Sequence, residues 1–323
     1  MNEERAMRRA LALAASVRTM TSPNPWVGCV IEPGGFEGAT SPPGGPHAEA
    51  VALAAAGEHA RGATLVCTLE PCVHHGQTPP CVDAIVAAGV RRVVVAMEDP
   101  DHRMRGAGLA ALRQAGVDVD VGLCVDEVRS QLAPYIKHRA TGRPWVVLKL
   151  ATTLDGRTAA PDGTSRWITG EAARRDVQRL RAESDAVLVG AGTVRADDPE
   201  LTVRLASGSA RQPLRVVLGR APATARVQPA LELGGELDEV LDELGRRRVL
   251  QVLVEGGPSV AAAFHRAGLV DRYVFYVAPV LMGGDDGRPV LAGPGVPTMA
   301  EAWRGRTVDV TVLGDDVRVV VER

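Results

Sequence analysis

The sequence is nearly without lysine and is poor in aromatic residues. Lys137 and Lys149 are the only lysines among 323 residues, so arginine supplies almost all of the positive charge. Aromatic residues make up 3% of the chain, which leaves Val, Leu and Ala to fill the hydrophobic cores. Because arginine can bind phosphate through two hydrogen bonds at once, cationic sites in this chain are suited to a phosphorylated ligand.

Strong net charge and long apolar segments are also missing. The formal net charge is −2, which gives no general attraction to nucleic acid or to an anionic membrane surface. No segment approaches the roughly 20 apolar residues of a membrane span. Residues 1–17 lack the apolar core and cleavage site of a signal peptide. We therefore expect a cytoplasmic protein without nucleic-acid or membrane partners.

The cysteines do not suggest a disulfide framework. There are five of them, an odd number in a long chain without a secretion signal. A reducing compartment with metal-bound or free thiols is the better interpretation. Cys29, Cys67 and Cys124 are expected to be small buried residues, which leaves Cys72 and Cys81 as the candidates for chemistry.

Apolar runs of strand length alternate with helical patterns, which indicates an α/β fold with a largely parallel or mixed sheet. The predicted strands are Ala63–Thr68, Arg92–Met97, Trp145–Leu150, Ala186–Gly190, Leu214–Leu218, Val249–Val254 and Tyr273–Val280. The predicted helices are Glu3–Val17, His47–Ala56, Pro80–Ala88, Leu109–Ala115, Glu171–Ala182 and Ser259–Ala267. The polar, turn-forming segment 139–144 predicts a domain boundary near residue 143, with domains at 1–143 and 144–323. The Ala-, Pro- and Gly-rich segment 219–235 is predicted to be a loop.

One histidine and two cysteines in the first half form a candidate metal site. His47, Cys72 and Cys81 are a soft donor set that suits Zn²⁺. Three protein ligands leave a fourth position open, which is typical of catalytic zinc. Glu49 follows His47 by two residues at a predicted helix start, where both side chains can point into one pocket. This order resembles the zinc-deaminase pattern, in which such a glutamate transfers protons, although eight residues separate the cysteines here.

Three alternatives stay open from these residues. A nucleic-acid deaminase would share the zinc pattern, but the chain shows no basic stripe. A structural zinc protein or noncatalytic scaffold would need a fourth ligand such as His74 or His75. A deaminase whose second domain is impaired would keep only the first activity.

Several motifs together resemble the bifunctional deaminase–reductase family of riboflavin biosynthesis. In the first half these are Pro23-Asn-Pro-Trp-Val-Gly-Cys-Val30, Gly45-Pro-His-Ala-Glu49 and Thr68-Leu-Glu-Pro-Cys-Val-His-His-Gly-Gln-Thr-Pro-Pro-Cys81. In the second half they are Lys149-Leu-Ala-Thr-Thr-Leu-Asp-Gly-Arg157, Ser165-Arg-Trp-Ile-Thr-Gly170, Gly190-Ala-Gly-Thr-Val-Arg-Ala-Asp-Asp-Pro199 and Glu255-Gly-Gly-Pro258. The long segment between Cys72 and Cys81 is itself a feature of that family.

The resemblance implies two domains and two reactions. A cytidine-deaminase-like three-layer α/β/α domain would hydrolyse the 2-amino group of 2,5-diamino-6-(5-phosphoribosylamino)pyrimidin-4-one with Zn²⁺. A dihydrofolate-reductase-like α/β domain would then reduce the ribosyl side chain to ribityl with NADPH. The partner is thus a small phosphorylated aminopyrimidine, and a homo-oligomer is expected for the family.

Site residues follow from the resemblance position by position. His47, Cys72 and Cys81 match the zinc ligands, Glu49 the proton-transferring group, and Asn24 a pyrimidine contact. Substrate-contacting positions of the reductase are matched by Ser165, Arg181, Leu201, Arg204 and Glu255. NADPH-contacting positions are matched by Ala151, Trp167, Thr193, Asp197 and the loop that opens at Gly257. Lys149 is expected to line the same pocket.

Two segments depart from the family pattern. The loop Asp101–Gly106 stands where the family has an Asn-Pro-rich loop. Segment 228–235 offers no apolar pattern for the strand that the family places before the helix near Leu237, so we expect this strand to be absent. A missing strand beside the cofactor would weaken NADPH binding, and this is the basis for the alternative of an impaired reductase.

Overall fold

The computed structural model describes residues 3–74, 79–205 and 211–323. By the contacts between residues, the chain divides into two compact units, residues 1–143 and 144–323. Within the described ranges, no helix is both long enough and apolar enough to cross a membrane.

Unit 1 is built around a five-stranded mixed sheet. Its elements in chain order are α1 (Glu3–Thr21), β1 (Gly28–Glu32), β2 (Phe36–Ala39), α2 (Ala48–Ala56), β3 (Thr64–Cys67), α3 (Cys81–Ala87), β4 (Arg92–Val95), α4 (Ala107–Gln114), β5 (Asp118–Val121) and α5 (Val125–Thr141). The strand order is β2-β1-β3-β4-β5. Strand β1 runs antiparallel to β2 and β3, whereas β3, β4 and β5 are parallel.

Two glycines let helices pack closely on opposite faces of this sheet. A Cβ atom on Gly28 would lie 1.9 Å from the Ala10 carbonyl oxygen of α1, and one on Gly38 would lie 2.0 Å from the Ala48 carbonyl oxygen of α2. Gly38 is the cross-strand partner of Cys29, the residue after Gly28, and successive residues of a strand point to opposite faces. Unit 1 therefore has three layers, as expected for a deaminase-like domain.

Unit 2 has a larger sheet of eight strands. Its elements in chain order are β6 (Trp145–Thr153), β7 (Arg157–Ala159), α6 (Glu171–Ala182), β8 (Ala186–Gly190), α7 (Ala191–Asp197), β9 (Leu214–Leu218), β10 (Leu231–Leu233), α8 (Leu237–Arg246), β11 (Gln251–Val254), α9 (Pro258–Arg266), β12 (Arg272–Ala278), β13 (Arg288–Pro289), β14 (Arg306–Leu313) and β15 (Asp316–Glu322). The order is β10-β9-β8-β11-β6-β12-β15-β14, parallel from β10 to β12 and antiparallel thereafter.

The central strands of unit 2 separate two hydrophobic cores. Leu148 and Leu188 pack with α8 and α9 on one face, whereas their neighbours Val147 and Val187 pack with α6 and α7 on the other. Both faces are thus buried, which explains why these strands read as continuous apolar runs in the sequence.

The expected absence of a strand in segment 228–235 is wrong. Leu231–Leu233 forms β10, which pairs in parallel with Val216–Leu218 of β9. Leu231 and Leu233 pack against the core, and the Glu232 carboxylate between them accepts a hydrogen bond from the Ala221 N–H. An edge strand of three residues depends on its neighbour for its structure, so its own residues give a weak signal.

Three smaller expectations also differ from the structure. Arg139–Thr141 is the last turn of α5 and not a turn-forming linker. The helix ends at Thr141, and the C-cap residue Gly142 has a φ of 73°, which suits glycine. Cys29 and Cys67 are fully buried, but Cys124 is only half-buried and is the N-cap of α5. Strands β1, β2, β5, β7, β13, β14 and β15 and helices α5 and α7 were not predicted.

Candidate functional site

Two helices of unit 1 begin with metal-ligating side chains. His47 is the N-cap residue of α2, and Cys81 is the first residue of α3. Cys72 lies in the loop between β3 and α3, where its Sγ accepts a hydrogen bond of 3.3 Å from the Cys81 N–H. Helix N-termini carry partial positive charge, which favours thiolates at this place.

The three side chains meet at one point. The His47 Nδ1 atom lies 3.5 Å from the Cys72 Sγ and 3.4 Å from the Cys81 Sγ, and all three ligand atoms lie within 4.8 Å of one another. For tetrahedral zinc with usual bond lengths, a nitrogen and a sulfur ligand would be roughly 3.6 Å apart. The donor set and its spacing therefore fit a zinc ion.

A buried carboxylate lies beside this cluster. Glu49 is the second residue of α2 and is 4% exposed. Burial raises the pKa of Glu49 to about 7, whereas the Cys81 thiol and the His47 ring lower the pKa of the Cys72 thiol to about 4. The cluster thus combines a thiolate with a carboxyl group that can gain or lose a proton near neutral pH.

No fourth ligand joins the cluster among the described residues. The group of close ligand atoms consists of His47, Cys72 and Cys81. The His74 Nδ1 atom lies 3.0 Å from the Met104 Sδ instead, and His75 falls outside the described residues. A three-residue set leaves one coordination position for water, as in catalytic zinc sites.

Asn24 and the loop 101–106 lie outside this cluster of ligand atoms. Asn24 is half-buried between α1 and β1, and its backbone N–H donates to the Thr21 carbonyl. In the loop, the buried Asp101 carboxylate accepts two hydrogen bonds from the exposed Arg103 guanidinium, at 3.0 and 2.7 Å. The Arg103 hydrogen bonds lower the pKa of Asp101.

Unit 2 contains a cleft of about 700 Å³. It brings together the following residues that the resemblance predicts for substrate or NADPH: Ser165, Trp167, Arg181, Thr193, Asp197, Leu201, Arg204 and Glu255, with Lys149 beside them. Two further predicted residues lie next to these. The Gly257 N–H donates to the Thr193 Oγ1 at 3.2 Å, and Ala151 follows Lys149 by two residues on β6, so both point to the same face.

A buried ionic triad lies in the wall of this cleft. The Arg181 Nε and Nη2 atoms donate to the Glu255 carboxylate at 2.6 and 3.1 Å, and Nη1 donates to the Thr202 carbonyl. The Lys149 Nζ lies 4.0 Å from the same carboxylate. Burial alone would raise the pKa of Glu255, but the charge and hydrogen bonds of Arg181 lower it, and burial lowers the pKa of Lys149. No motif in the sequence indicates that Arg181 and Glu255 form a pair.

The rim of the cleft is aromatic and cationic. The Trp167 side chain is 70% exposed, and the Arg174 guanidinium lies 4.6 Å from its ring centroid. Arg166 donates to the Asp197 carbonyl at 2.8 Å, which ties the Trp167 loop to the end of α7. The Arg204 guanidinium is 61% exposed and lies 2.9 Å from Glu200, so it can turn toward an incoming anion.

Comparison with known proteins matches each half of the chain to a family model. Residues 1–97 match the cytidine and deoxycytidylate deaminase zinc-binding region. Residues 144–319 match the RibD C-terminal domain, which is more than half of the chain. The first region contains the whole His47–Cys72–Cys81 cluster, and the second contains the whole cleft.

Relatives match over the full length. The riboflavin biosynthesis protein RibD of Escherichia coli K12 is 42% identical over 98% of each chain. That of Mycobacterium tuberculosis H37Rv is 45% identical over 97% of this chain and 95% of its own. The chain belongs to the RibD family. RibD of Acinetobacter baumannii has the same fold, with a TM-score of 0.94 at 39% identity over 99% of this chain and 98% of the other.

As a member of the RibD family, the chain is a bifunctional enzyme of riboflavin biosynthesis. A zinc-binding deaminase domain is followed by a reductase domain. The cofactors of the enzyme are Zn²⁺ and NADPH. A Thermotoga maritima structure named diaminohydroxyphosphoribosylaminopyrimidine deaminase/5-amino-6-(5-phosphoribosylamino)uracil reductase has a TM-score of 0.90 at 34% identity, over 99% of this chain and 98% of that one. The expected fold class and pair of activities are confirmed. The alternative of an impaired reductase loses its basis, because strand β10 is present.

Glu70 is a buried residue to which the sequence motif assigned no role. It is 4% exposed, and its carboxylate accepts backbone N–H groups from the loop 99–106 and from α4. The available signal was a charged residue between the buried strand β3 and the Pro71-Cys72 pair, since such a residue is rarely buried without partners.

Proposed function

We propose that this RibD protein deaminates 2,5-diamino-6-(5-phosphoribosylamino)pyrimidin-4-one in unit 1 and reduces the ribosyl side chain of the product in unit 2. The observation that carries the proposal is the His47, Cys72 and Cys81 donor set with the buried Glu49 beside it. The substrate is the one that the name of the T. maritima relative implies for that protein.

His47, Cys72 and Cys81 would hold the zinc ion in unit 1. Zinc, when bound, would supply a Lewis acid that activates a water molecule for attack at neutral pH. Glu49 would accept the two protons that the water loses, one after the other, and would deliver the first to the ring nitrogen and the second to the departing amine. Because burial raises the pKa of Glu49 to about 7, its carboxyl group can gain and lose a proton near neutral pH. Asn24 would pair with the amide-like edge of the pyrimidine.

The cleft of unit 2 would hold NADPH and the deaminated substrate together. NADPH, when bound, would supply a hydride for the sugar carbon that bears the amine. The carbon–oxygen bond of the sugar ring would break at this carbon, and the released oxygen would need a proton. Lys149 can deliver that proton because burial lowers the pKa of its ammonium group. Asp197, which the resemblance places at the cofactor, is 46% exposed at the end of α7 and suits a polar contact to NADPH.

The remaining residues of the cleft suit binding. The exposed face of Trp167 would pack against a flat ring, and Ala151, Thr193 and Gly257 would line the cofactor. The Gly256-Gly257 backbone and the N-terminus of α9 suit a pyrophosphate. Arg204 would bind the ribose phosphate. Ser165, Leu201, Arg181 and Glu255 would contact the substrate, and Arg181 also holds the Glu255 carboxylate in place.

Mass spectrometry of the product tests both reactions. Purified zinc-loaded protein would receive the diaminopyrimidinone ribosyl phosphate with and without NADPH. We expect deaminated product without NADPH and deaminated, reduced product with it. Unchanged substrate in both reactions, with zinc shown to be bound, would reject the deaminase assignment, and deaminated but unreduced product with NADPH would reject the reductase assignment.

We also propose that the protein forms a homo-oligomer in the cytoplasm. Strand β14 is an edge strand whose Val310 and Val312 are 60% and 71% exposed, and an open apolar edge favours pairing with another chain. The five cysteines are all free thiols, which suits a reducing compartment. Light scattering would show a mass above 34.0 kDa, and a monomer at micromolar concentration would contradict the proposal.

A further inference from the structure

The Glu70 carboxylate connects three segments of unit 1. Its Oε2 accepts hydrogen bonds from the N–H groups of Asp99 and Gly106, at 2.9 and 3.0 Å. Its Oε1 accepts from the N–H groups of Gly108 and Leu109, at 2.7 and 3.4 Å. Gly108 and Leu109 belong to the first turn of α4, and Asp99 and Gly106 bracket the loop before it.

The hydrogen bonds that Glu70 accepts belong to a class that is stronger than the hydrogen bonds between neutral groups. The first N–H groups of a helix have no partner inside the helix, and a carboxylate at that end also interacts favourably with the helix dipole. Hydrogen bonds to an ionised acceptor are roughly twice as strong as neutral ones. A glutamine in the same place would offer one oxygen and one NH₂ group, so its NH₂ group would face backbone N–H donors.

A second contact fixes the same segment independently. A Cβ atom on Gly108 would lie 2.1 Å from the Pro71 carbonyl oxygen, so residue 71 packs directly on the backbone of α4. Pro71 has a fixed φ angle, and the next residue is Cys72. The Cys72 carbonyl then accepts the Val82 N–H at 3.2 Å, in the first turn of α3. Cys72 is therefore held between the starts of two helices.

We propose that Glu70 is the positioning residue for the zinc ligand Cys72, because it anchors residues 70–72 to α4 and to the loop 99–106. It does not touch the reacting atoms, and it acts through the backbone that carries the Cys72 thiolate. The proposal rests on the assignment of His47, Cys72 and Cys81 as zinc ligands. Groups that orient metal ligands typically change metal affinity by 10- to 100-fold when they are altered.

The test measures zinc affinity in the full-length protein by competition with a chromogenic chelator. We expect Glu70→Gln to weaken zinc binding by about 10- to 100-fold. Gly108→Ala should have an effect in the same direction, because its methyl group would displace the Pro71 carbonyl. With Co²⁺ in place of zinc, both variants should show a weaker or shifted tetrahedral absorption band. Reduction by NADPH reports only on unit 2, so unchanged amide hydrogen exchange in α1 and β1 of the same samples is used to show that unit 1 is folded.

Asp99→Asn is the matched control. Asp99 is a buried carboxylate of the same loop, and its side chain accepts hydrogen bonds from the Tyr135 hydroxyl and the Asp101 N–H. The hydrogen bond from its backbone N–H to Glu70 does not involve this side chain and is kept in the variant. This variant should lower thermal stability and keep wild-type zinc affinity. Wild-type affinity in both Glu70→Gln and Gly108→Ala, or an equal loss in Asp99→Asn, would overturn the proposal. A wild-type protein that binds no zinc would instead reject the ligand assignment of the proposed function, and this inference with it.

Discussion

At the scale of single residues, the two units use buried carboxylates in opposite ways. Glu49 is buried without a strong cationic partner, and its pKa rises to about 7. Glu255 is equally buried, but the Arg181 guanidinium outweighs the effect of burial and its pKa falls below the usual value. Neighbouring charge therefore decides whether a buried carboxyl can exchange a proton or stays ionised. This difference suits Glu49 to the proton transfer proposed for it and leaves Glu255 with a fixed negative charge.

Two separate variants, Glu49→Gln and Cys72→Ser, test the role of Glu49 and the assignment of Cys72 as a zinc ligand. The glutamine keeps the shape of the side chain but cannot transfer the proton, so we expect deamination to fall by at least about 100-fold with stoichiometric zinc retained. Cys72→Ser should lose zinc as well as activity, because a serine hydroxyl is a much poorer ligand than a thiolate. Metal analysis and product formation would be measured on the same samples. Full zinc occupancy in Cys72→Ser would refute the ligand assignment.

The buried triad predicts a stability effect that depends on pH. Glu255→Gln leaves the positive charges of Arg181 and Lys149 in the wall of the cleft without a partner, which should lower the free energy of unfolding of unit 2 by about 3 kcal/mol at pH 7. The folded-state pKa of Glu255 lies below the ordinary value of 4.5. The stability from its charge is therefore complete above pH 4.5 and is lost as the pH falls through the folded-state pKa.

Urea unfolding of the wild type and Glu255→Gln between pH 3 and 7 would measure this difference. The two proteins should differ most at neutral pH and converge in acid. Arg246→Gln is a suitable control, because Arg246 pairs with Glu243 on the surface of α8 and a surface pair contributes about 0–1 kcal/mol. A constant difference across the pH range would show that the charge of Glu255 is not the cause.

At the scale of elements, the zinc cluster depends on where α2 and α3 begin. The N-cap position of α2 carries His47, its second residue is Glu49, and the first residue of α3 is Cys81. Gly38 allows the backbone of α2 to lie directly on β2. The position of this helix on the sheet therefore sets the position of two functional side chains.

Gly38→Ala tests this dependence. The new methyl group would collide with the Ala48 carbonyl and the Ala52 N–H of α2, so the helix must shift. We expect a loss of about 3 kcal/mol in the free energy of unfolding of unit 1 and a fall in deaminase activity, with reductase activity unchanged. Gly234→Ala is the control, because no atom lies within 4 Å of its Cβ position. A stable Gly38→Ala protein with normal deaminase activity would contradict this account.

At the scale of the whole molecule, each unit has its own sheet and its own set of functional residues. We expect zinc removal by a chelator to speed amide hydrogen exchange in α2 and α3, and NADPH to slow it in α7 and α9. A ligand stabilises the structure that binds it, by about 2.7 kcal/mol when the free ligand concentration is 100 times the dissociation constant. Peptide-resolved exchange mass spectrometry would measure both effects. Faster exchange in α7 and α9 after zinc removal alone would argue against separate stabilisation of the units.

The sequence by itself determined those strands and helices whose apolar or amphipathic pattern lies within their own residues. Strands buried on both faces, such as Ala186–Gly190, appear as unbroken apolar runs, and the amphipathic helix Glu171–Ala182 was predicted with the bounds that the structure shows. The zinc donor set was also recognisable, because residue types and spacing alone restrict which metal can bind. Segments that depend on a neighbour, such as β10 and the hairpin of β14 and β15, were not predicted from their own residues.

Only the tertiary structure decided which distant side chains meet. Arg181 and Glu255 are 74 residues apart in the chain, and their pairing follows from the neighbouring positions of β8 and β11 in the sheet and of α6 on its face. Glu70 accepts N–H groups from residues 29 to 39 positions further along the chain. Hydrogen bonds and ion pairs of this kind depend on distances of about 3 Å, and a sequence pattern fixes such distances only within a single element.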